Sequence, residues 1–160
     1  ATTSFLMADS TTPDGDYIKP QTNPTNTDCW NGKAYTPLNQ LTPGRTKYGT
    51  NNNVRIFRYA DVLLMNAEAK IKNGKSGDAP FNEVRRRAQM PELTNVTFEQ
   101  VIDERRMELV CEWGERYNDL VRTGLAKTEL KGWSEDKALL PLPFNQYTQI
   151  PDLLKEPKDE

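Results

Sequence analysis

The chain has 160 residues, with 21 Lys+Arg against 23 Asp+Glu and a net charge of −2. That size allows one ordinary domain or part of a larger one, and the charge balance supplies no global field for nucleic acid or anionic lipid. Histidine is absent, which excludes Ser–His and Cys–His nucleophiles, His metal ligands and a His pH switch.

Hydrophobic residues make up 36% of the chain, low for a self-contained core, and no 18-residue apolar run is present to cross a membrane. Residues 1–53 form a polar, irregular, loop-rich segment. Thr11-Thr12-Pro13-Asp14-Gly15-Asp16 and Gln21-Thr22-Asn23-Pro24-Thr25-Asn26 carry turn chemistry, and Thr50-Asn51-Asn52-Asn53 reads as a further turn. Ala1-Thr2-Thr3-Ser4-Phe5-Leu6-Met7 lacks an initiator Met and the basic, then apolar, pattern of a signal peptide, which suggests a processed or excised piece. Aromatics at Phe5, Tyr17, Trp30, Tyr35 and Tyr48 punctuate the segment. Fifty residues without periodicity are unusual inside a compact domain, so either the segment is disordered or it packs on something outside this chain. Trp30, Tyr35 and Tyr48 could stack on sugar rings through C–H contacts to their π faces; the plainer reading is that they anchor a loop to a core.

Residues 54–124 read as a helical core. A first helix is expected from about Arg55 to Asn73, with Ile56, Ala60, Leu63, Leu64, Ala67 and Ile71 on one face and Asn73-Gly74 as its stop. A loop, Lys75-Ser76-Gly77-Asp78, leads to a shorter helix from about Ala79 to Gln89. Pro80 is tolerated in its first turn, Phe81, Val84 and Ala88 share a face, and Met90-Pro91 ends it. Arg85-Arg86-Arg87 spread over roughly 200° of helix surface rather than forming a stripe, so a solvated face with one arginine paired internally is expected in place of a nucleic-acid site.

The third helix has the clearest start: Thr97-Phe98-Glu99-Gln100 fits a capping box. Phe98, Val101, Ile102, Leu109, Val110 and Trp113 mark its buried side, and Cys111 falls in the same helical pattern. Gly114 interrupts, and 115–123 reads as another helix with Tyr117, Leu120 and Val121 apolar and Gly124 as its cap. The two cysteines, Cys29 and Cys111, form no CxxC motif and leave one disulfide open. Residues 125–160 return to irregular structure. Leu139-Leu140-Pro141-Leu142-Pro143 reads as an extended surface segment, and Lys155-Glu156-Pro157-Lys158-Asp159-Glu160 as a solvated tail.

The stretch Glu104–Gly124 is dense in Glu, Asp and Arg. Glu104, Glu108 and Glu112 are four apart and would share a helix face, with Glu112–Arg116 an i,i+4 pair if the helix ran through Gly114. Paired carboxylates can hydrolyse a glycosidic bond, and a carboxylate ladder can hold a metal. Arginine neighbours, however, favour ionised carboxylates over a raised catalytic pKa, so a structural ion-pair network is the reading, with no catalytic, metal or cofactor residue assigned.

Four segments carry a family resemblance. Arg58-Tyr59-Ala60-Asp61-Val62-Leu63-Leu64-Met65-Asn66-Ala67-Glu68-Ala69 resembles the RYADVLLMxAEA signature of the SusD/RagB family, and Asn82-Glu83-Val84-Arg85-Arg86-Arg87-Ala88 its NxVRxRA segment. Glu104-Arg105, Glu108-Leu109, Glu112–Arg116, Asp119-Leu120 and Arg122-Thr123-Gly124 are similar to its charged block, and Leu139–Pro143 to its LLPIP motif. Glu112-Trp113-Gly114-Glu115-Arg116 has one residue more than the family's Glu-Gly-x-Arg, and a QNPGY-like ending is replaced by Lys155-Glu156-Pro157-Lys158. The resemblance covers roughly 45–155 and implies a mostly α fold of TPR-like helical hairpins with long irregular loops, this chain being the C-terminal portion. It implies a non-enzymatic glycan-binding lipoprotein at the extracellular face of the outer membrane. The lipid anchor would lie in a missing N-terminal region, and the partners would be a glycan, a SusC-like TonB-dependent transporter, the remaining N-terminal part of the same protein, and no nucleic acid. Asp61, Glu68, Arg105, Glu108, Arg116 and Asp119 would then tie helices together. The competing functions are a free-standing helical scaffold for a protein partner and a carboxylate-dependent glycosidase.

Overall fold

The structure, a computed structural model, describes residues 4–20, 22, 28–42, 50, 55–112, 115–139 and 144–149. The chain divides into two units, Ala1–Asn118 and Asp119–Glu160.

The first unit opens with short antiparallel strands. Strand β1 (Phe5–Met7) pairs with β4 (Cys29–Asn31) in the register Phe5↔Asn31, Leu6↔Trp30 and Met7↔Cys29. Between them, β2 (Ser10–Thr11) pairs with β3 (Tyr17–Ile18). The β2–β3 turn is closed by buried Thr12: its N–H donates to the Asp16 carbonyl (2.9 Å) and its hydroxyl accepts from the Asp16 N–H (3.1 Å). Gly15 takes φ +94° there, which only glycine adopts without strain. Within the segment read as irregular and loop-rich, the described residues therefore hold four short strands. Strands of two or three residues are too short for a period-two pattern to show, and local Asx and Thr turns supply much of their register.

Three helices follow. Helix α1 (Tyr59–Lys72) packs on both α2 (Asp78–Arg87) and α3 (Phe98–Glu108). Their shared core is Ala60, Leu63, Leu64, Ala67, Phe81, Val84, Val96 and Val101, with Ile71 and Leu93 at its margin. The three- and four-residue spacing in α1 places Leu64 and Ala67 out of solvent altogether. The helix starts later than expected because Arg58 is extended (φ −120°), and Ile56, read as part of the apolar face, is 70% exposed.

The end of α1 is a Schellman motif. Lys75 N–H donates to Lys70 O (2.9 Å) and Gly74 N–H to Ile71 O (3.0 Å), with Gly74 at φ +67°. Gly77 then lets α2 approach α1: a Cβ on it would lie 2.9 Å from the Ala67 carbonyl oxygen and from Ile71. Helix α2 stops before the Met90-Pro91 pair credited with ending it. A second Schellman motif closes it, with Gln89 in the glycine-favouring position at φ +57°.

The loop from α2 to α3 is held by side chains. Asn82 clamps Leu93 in both directions, Nδ2 to the carbonyl (2.7 Å) and Oδ1 from the N–H (2.9 Å). The Asp78 carboxylate accepts from Asn95 and Val96 N–H, and these bonds hold its pKa below the usual carboxylate value. The capping box at α3 forms as read: Thr97 Oγ1 accepts from Gln100 N–H (3.3 Å), and Gln100 Oε1 from Thr97 N–H (2.9 Å). Helix α3 ends at Glu108, however, and Cys111 sits outside it at φ +63°. Glu112 therefore leaves the face it was expected to share with Glu104 and Glu108. Cys29 and Cys111 are both free thiols.

Helix α4 (Glu115–Thr123) contains the division between the units. In the second unit Leu120 and Ala126 are buried, Gly124 ends α4 at φ +77°, and α5 (Ala126–Glu129) and α6 (Phe144–Gln149) are short helices in a stretch read as irregular. Leu139 is 83% exposed; positions 140–143 and the tail, 150–160, lie outside the described residues.

Candidate functional site

Arg58 stands immediately before α1, where a cation opposes the helix dipole. Its side chain turns away from the helix to bridge two glutamates. Nη1 donates to Glu108 Oε1 (2.8 Å), Nε to Glu112 Oε2 (2.7 Å) and Nη2 to the Glu108 carbonyl (3.0 Å). The positive φ at Cys111 is the backbone step that follows the end of α3, and it brings Glu112 to the same guanidinium as Glu108.

Two further cations close the cluster. Lys33, in the 3₁₀ turn Gly32–Ala34, donates to Glu112 Oε1 (2.7 Å) and to the Glu108 carbonyl. Arg87, at the end of α2, donates to both Glu108 oxygens (2.7 and 2.6 Å). Asn31 Nδ2 donates to the Cys111 carbonyl (2.8 Å), and Arg55 to the Lys33 carbonyl (3.0 Å). The strand-bearing segment and the ends of α1, α2 and α3 thus meet at one ionic joint, in which the Glu108 side chain is only 8% exposed.

The electrostatics of this joint oppose acid catalysis. Burial alone would raise the Glu112 carboxyl, but hydrogen bonds and charge from Arg58 and Lys33 hold it below the ordinary glutamate value. Burial would likewise lower the Arg58 guanidinium, and Glu112 and Glu108 raise it instead. A general acid needs the opposite shift.

The other charged positions fall into separate pairs. Arg105 and Asp61, both buried, are 2.6 Å apart, and Arg105 also lies 3.6 Å from Glu115. Glu68 pairs with Lys72 one turn on (3.1 Å), and Asp119 with Arg122 (2.7 Å). Arg116 is half-buried on α4. Within Arg85-Arg86-Arg87, Arg85 pairs with Glu104 (2.6 Å) beneath the surface and Arg86 with Glu92 in solvent. All three arginines therefore have carboxylate partners, where one internal pair was expected. Glu112 meets Arg58 and Lys33, and residues 109–112 leave the helical path that an i,i+4 pair with Arg116 required.

Of the aromatic candidates, Trp30 is half-buried on β4 opposite Leu6, and Tyr35 follows the turn that carries Lys33. The Tyr35 hydroxyl donates to the Asp16 carboxylate and lies 3.3 Å from Thr12 Oγ1; Asp16 also accepts from Leu38 N–H (2.8 Å). Burial first, then the Asp16 hydrogen bond, raises the Tyr35 pKa. Trp30 and Tyr35 thus flank one turn, and Tyr48 lies outside the described residues. Lys33, Arg58 and Asp16 were not singled out in the sequence. Only Arg58 carried a signal, as an arginine where the dipole disfavours one.

Comparison with known proteins adds lineage to this geometry. The sequence model of the SusD family matches residues 2–153. SusD-like protein P38 from Formosa agariphila is 33% identical across 63% of this chain and 24% of its own length. Starch-binding protein SusD from Bacteroides thetaiotaomicron is 36% identical across 50% of this chain and 14% of its own. Among solved structures, surface glycan-binding protein A from Bacteroides uniformis superposes with a TM-score of 0.70 and 28% identity, over 92% of this chain and 35% of that one. The chain therefore spans about a quarter or less of these curated relatives and about a third of the solved structure.

Proposed function

The chain belongs to the SusD family, and from that premise we propose that it serves non-enzymatic binding of oligo- or polysaccharide at the cell surface. The observation that carries this reading is its likeness, at 28% identity and over 92% of its length, to a surface glycan-binding protein. In this reading the 160 residues are the C-terminal structural part of a longer polypeptide held by a lipid anchor at the extracellular face of the outer membrane. That polypeptide acts with a SusC-like TonB-dependent transporter in nutrient uptake. Residues 54–124 supply the helical core, 1–53 the loop-rich segment and 125–160 the C-terminal extension.

Trp30 and Tyr35, on either side of the Lys33 turn, are the described aromatics this chain contributes to the glycan, and Tyr48 is the third candidate by sequence alone. The ionic joint, which holds Lys33 of that turn, fixes the turn and performs no chemistry. Its glutamates are bound by three cations, and Glu112 is held below the ordinary glutamate value, which is why a glycosidase is the weaker reading. The test is a glycan array, followed by calorimetry, on the whole polypeptide and its Trp30→Ala variant. The expected result is binding that weakens about tenfold in the variant, the loss of one stacked aromatic, with melting temperature unchanged. Unaltered binding in a folded variant removes Trp30 from the site; release of new reducing ends, lost in Glu108→Gln, replaces the proposal with the glycosidase.

A further inference from the structure

The fold brings the segments that carry Cys29 and Cys111 together. Asn31, two residues after Cys29 on β4, donates from Nδ2 to the Cys111 carbonyl (2.8 Å) across a separation of 80 residues. Alternate residues of a strand leave the same face, so Cys29 and Asn31 project to one side, about 7 Å apart. Lys33, just beyond them, reaches the Glu108 carbonyl where α3 ends, so this side of the segment runs along that helix end. Both thiols are free and half-buried. The Cys29 thiol has the carbonyl of its own neighbour, Trp30, at 4.0 Å, a weak contact for a weak donor. Cys111 lies past α3 at φ +63°, a left-handed conformation that a non-glycine residue keeps only where its surroundings fix it.

We propose that Cys29 and Cys111 are a thiol pair that closes to a disulfide and fastens the strand-bearing segment to the end of α3, beside the ionic joint. A disulfide spans Cα separations of about 4.4–6.8 Å. Cys29 is one strand alternation, about 7 Å, from a residue already bonded to the Cys111 backbone. Residues 109–112 are turn and bend, not helix, so bringing the sulfurs together moves a turn and leaves α3 and β4 in place. The oxidant is a low-molecular-weight disulfide, R–S–S–R. One cysteine thiolate attacks it, forming a mixed disulfide as the R–S–S–R bond breaks and one R–S⁻ leaves. The other cysteine thiolate then attacks the protein sulfur of that mixed disulfide and releases the second R–S⁻. Two protein thiols are oxidised, one small disulfide is reduced, and both protons pass to the released thiolates. The second step is intramolecular, and the high effective concentration of the partner thiol favours it over a second mixed disulfide. The pairing is independent of the glycan reading, and an extracellular position is the kind of compartment in which such a bond persists.

The test reduces the whole folded polypeptide, removes the reductant and adds glutathione disulfide. Remaining thiols are then alkylated, and the protein is digested without reduction for mass spectrometry. The expected product is one cross-linked pair of peptides, containing Cys29 and Cys111, with both thiols lost and no glutathione retained at either position. In Cys29→Ser the reaction stops one step earlier, and Cys111 keeps a glutathione. The oxidised protein is also expected to unfold at higher denaturant than the reduced one, because the cross-link restricts the unfolded chain, and Cys111→Ser loses that difference. Glutathione held on both cysteines of the folded wild-type protein overturns the proposal, because it shows two thiols that cannot meet. So do two thiols that stay unreacted, a bond from either cysteine to a different residue, and a cross-link that forms only after the protein is unfolded.

Discussion

Arg58 is the residue on which the first unit turns, because one guanidinium satisfies two carboxylates and a helix-end carbonyl. Arg58→Ala leaves Glu108 and Glu112 with Arg87 and Lys33 only. The expected cost is about 2–3 kcal/mol, below the ~3–5 kcal/mol of a fully buried broken pair because those two cations remain; chemical denaturation measures it. Arg105→Ala strands buried Asp61 and is expected to cost the larger figure. Glu112 adds a pH signature. Its carboxyl ionises below the unfolded value of 4.5, so its contribution is complete above that pH and is lost as pH falls through the lower, folded value. Glu112→Gln therefore flattens the acid limb of a stability–pH curve and leaves its slope above neutrality unchanged. The charged positions Asp61, Arg105 and Glu108 could be read in the sequence as ion-pair candidates, but their partners could not. Lys33 lies 75 residues from Glu108, a separation that no helical spacing encodes.

At the level of elements, the caps decide more than the propensities. Thr97→Ala removes one half of the capping box and is expected to cost about 1 kcal/mol. Gln89 occupies a left-handed position that suits glycine, so Gln89→Gly is expected to raise stability by about 0.5–1 kcal/mol. Both are read as shifts of a denaturation midpoint at constant slope. Gly77→Ala acts in the opposite sense, since its methyl group would meet the α1 backbone at 2.9 Å. The helices were legible because three- and four-residue apolar steps and capping residues are local signals; α1 and α2 were found within a few residues of their bounds, and the α3 start to the residue. The strands were not, because β1 to β4 are two or three residues long and pair across turns closed by Thr12, Asp16 and Gly15. The end of α3 was missed because a non-glycine residue, Cys111, takes the positive φ, and nothing in a cysteine announces that. The three-arginine run was read as largely solvated because its carboxylate partners, Glu92, Glu104 and Glu108, come from the following loop and another helix.

For the molecule as a whole, the mostly α SusD-like fold was legible from four ordered motifs, while the exposure of Tyr59, Val62 and Met65 on α1 became visible only in the structure. In the function proposed above, the ionic joint is scaffolding and the polypeptide containing it captures glycan without cleaving it. The most direct measurement incubates that whole polypeptide with a panel of oligosaccharides and follows binding and reducing-end release together. Binding to one glycan class with no release, retained in Glu108→Gln and weakened in Trp30→Ala, is the predicted result. Release that disappears when Glu108 or Glu112 is changed to Gln, or no binding to any member of the panel, contradicts it.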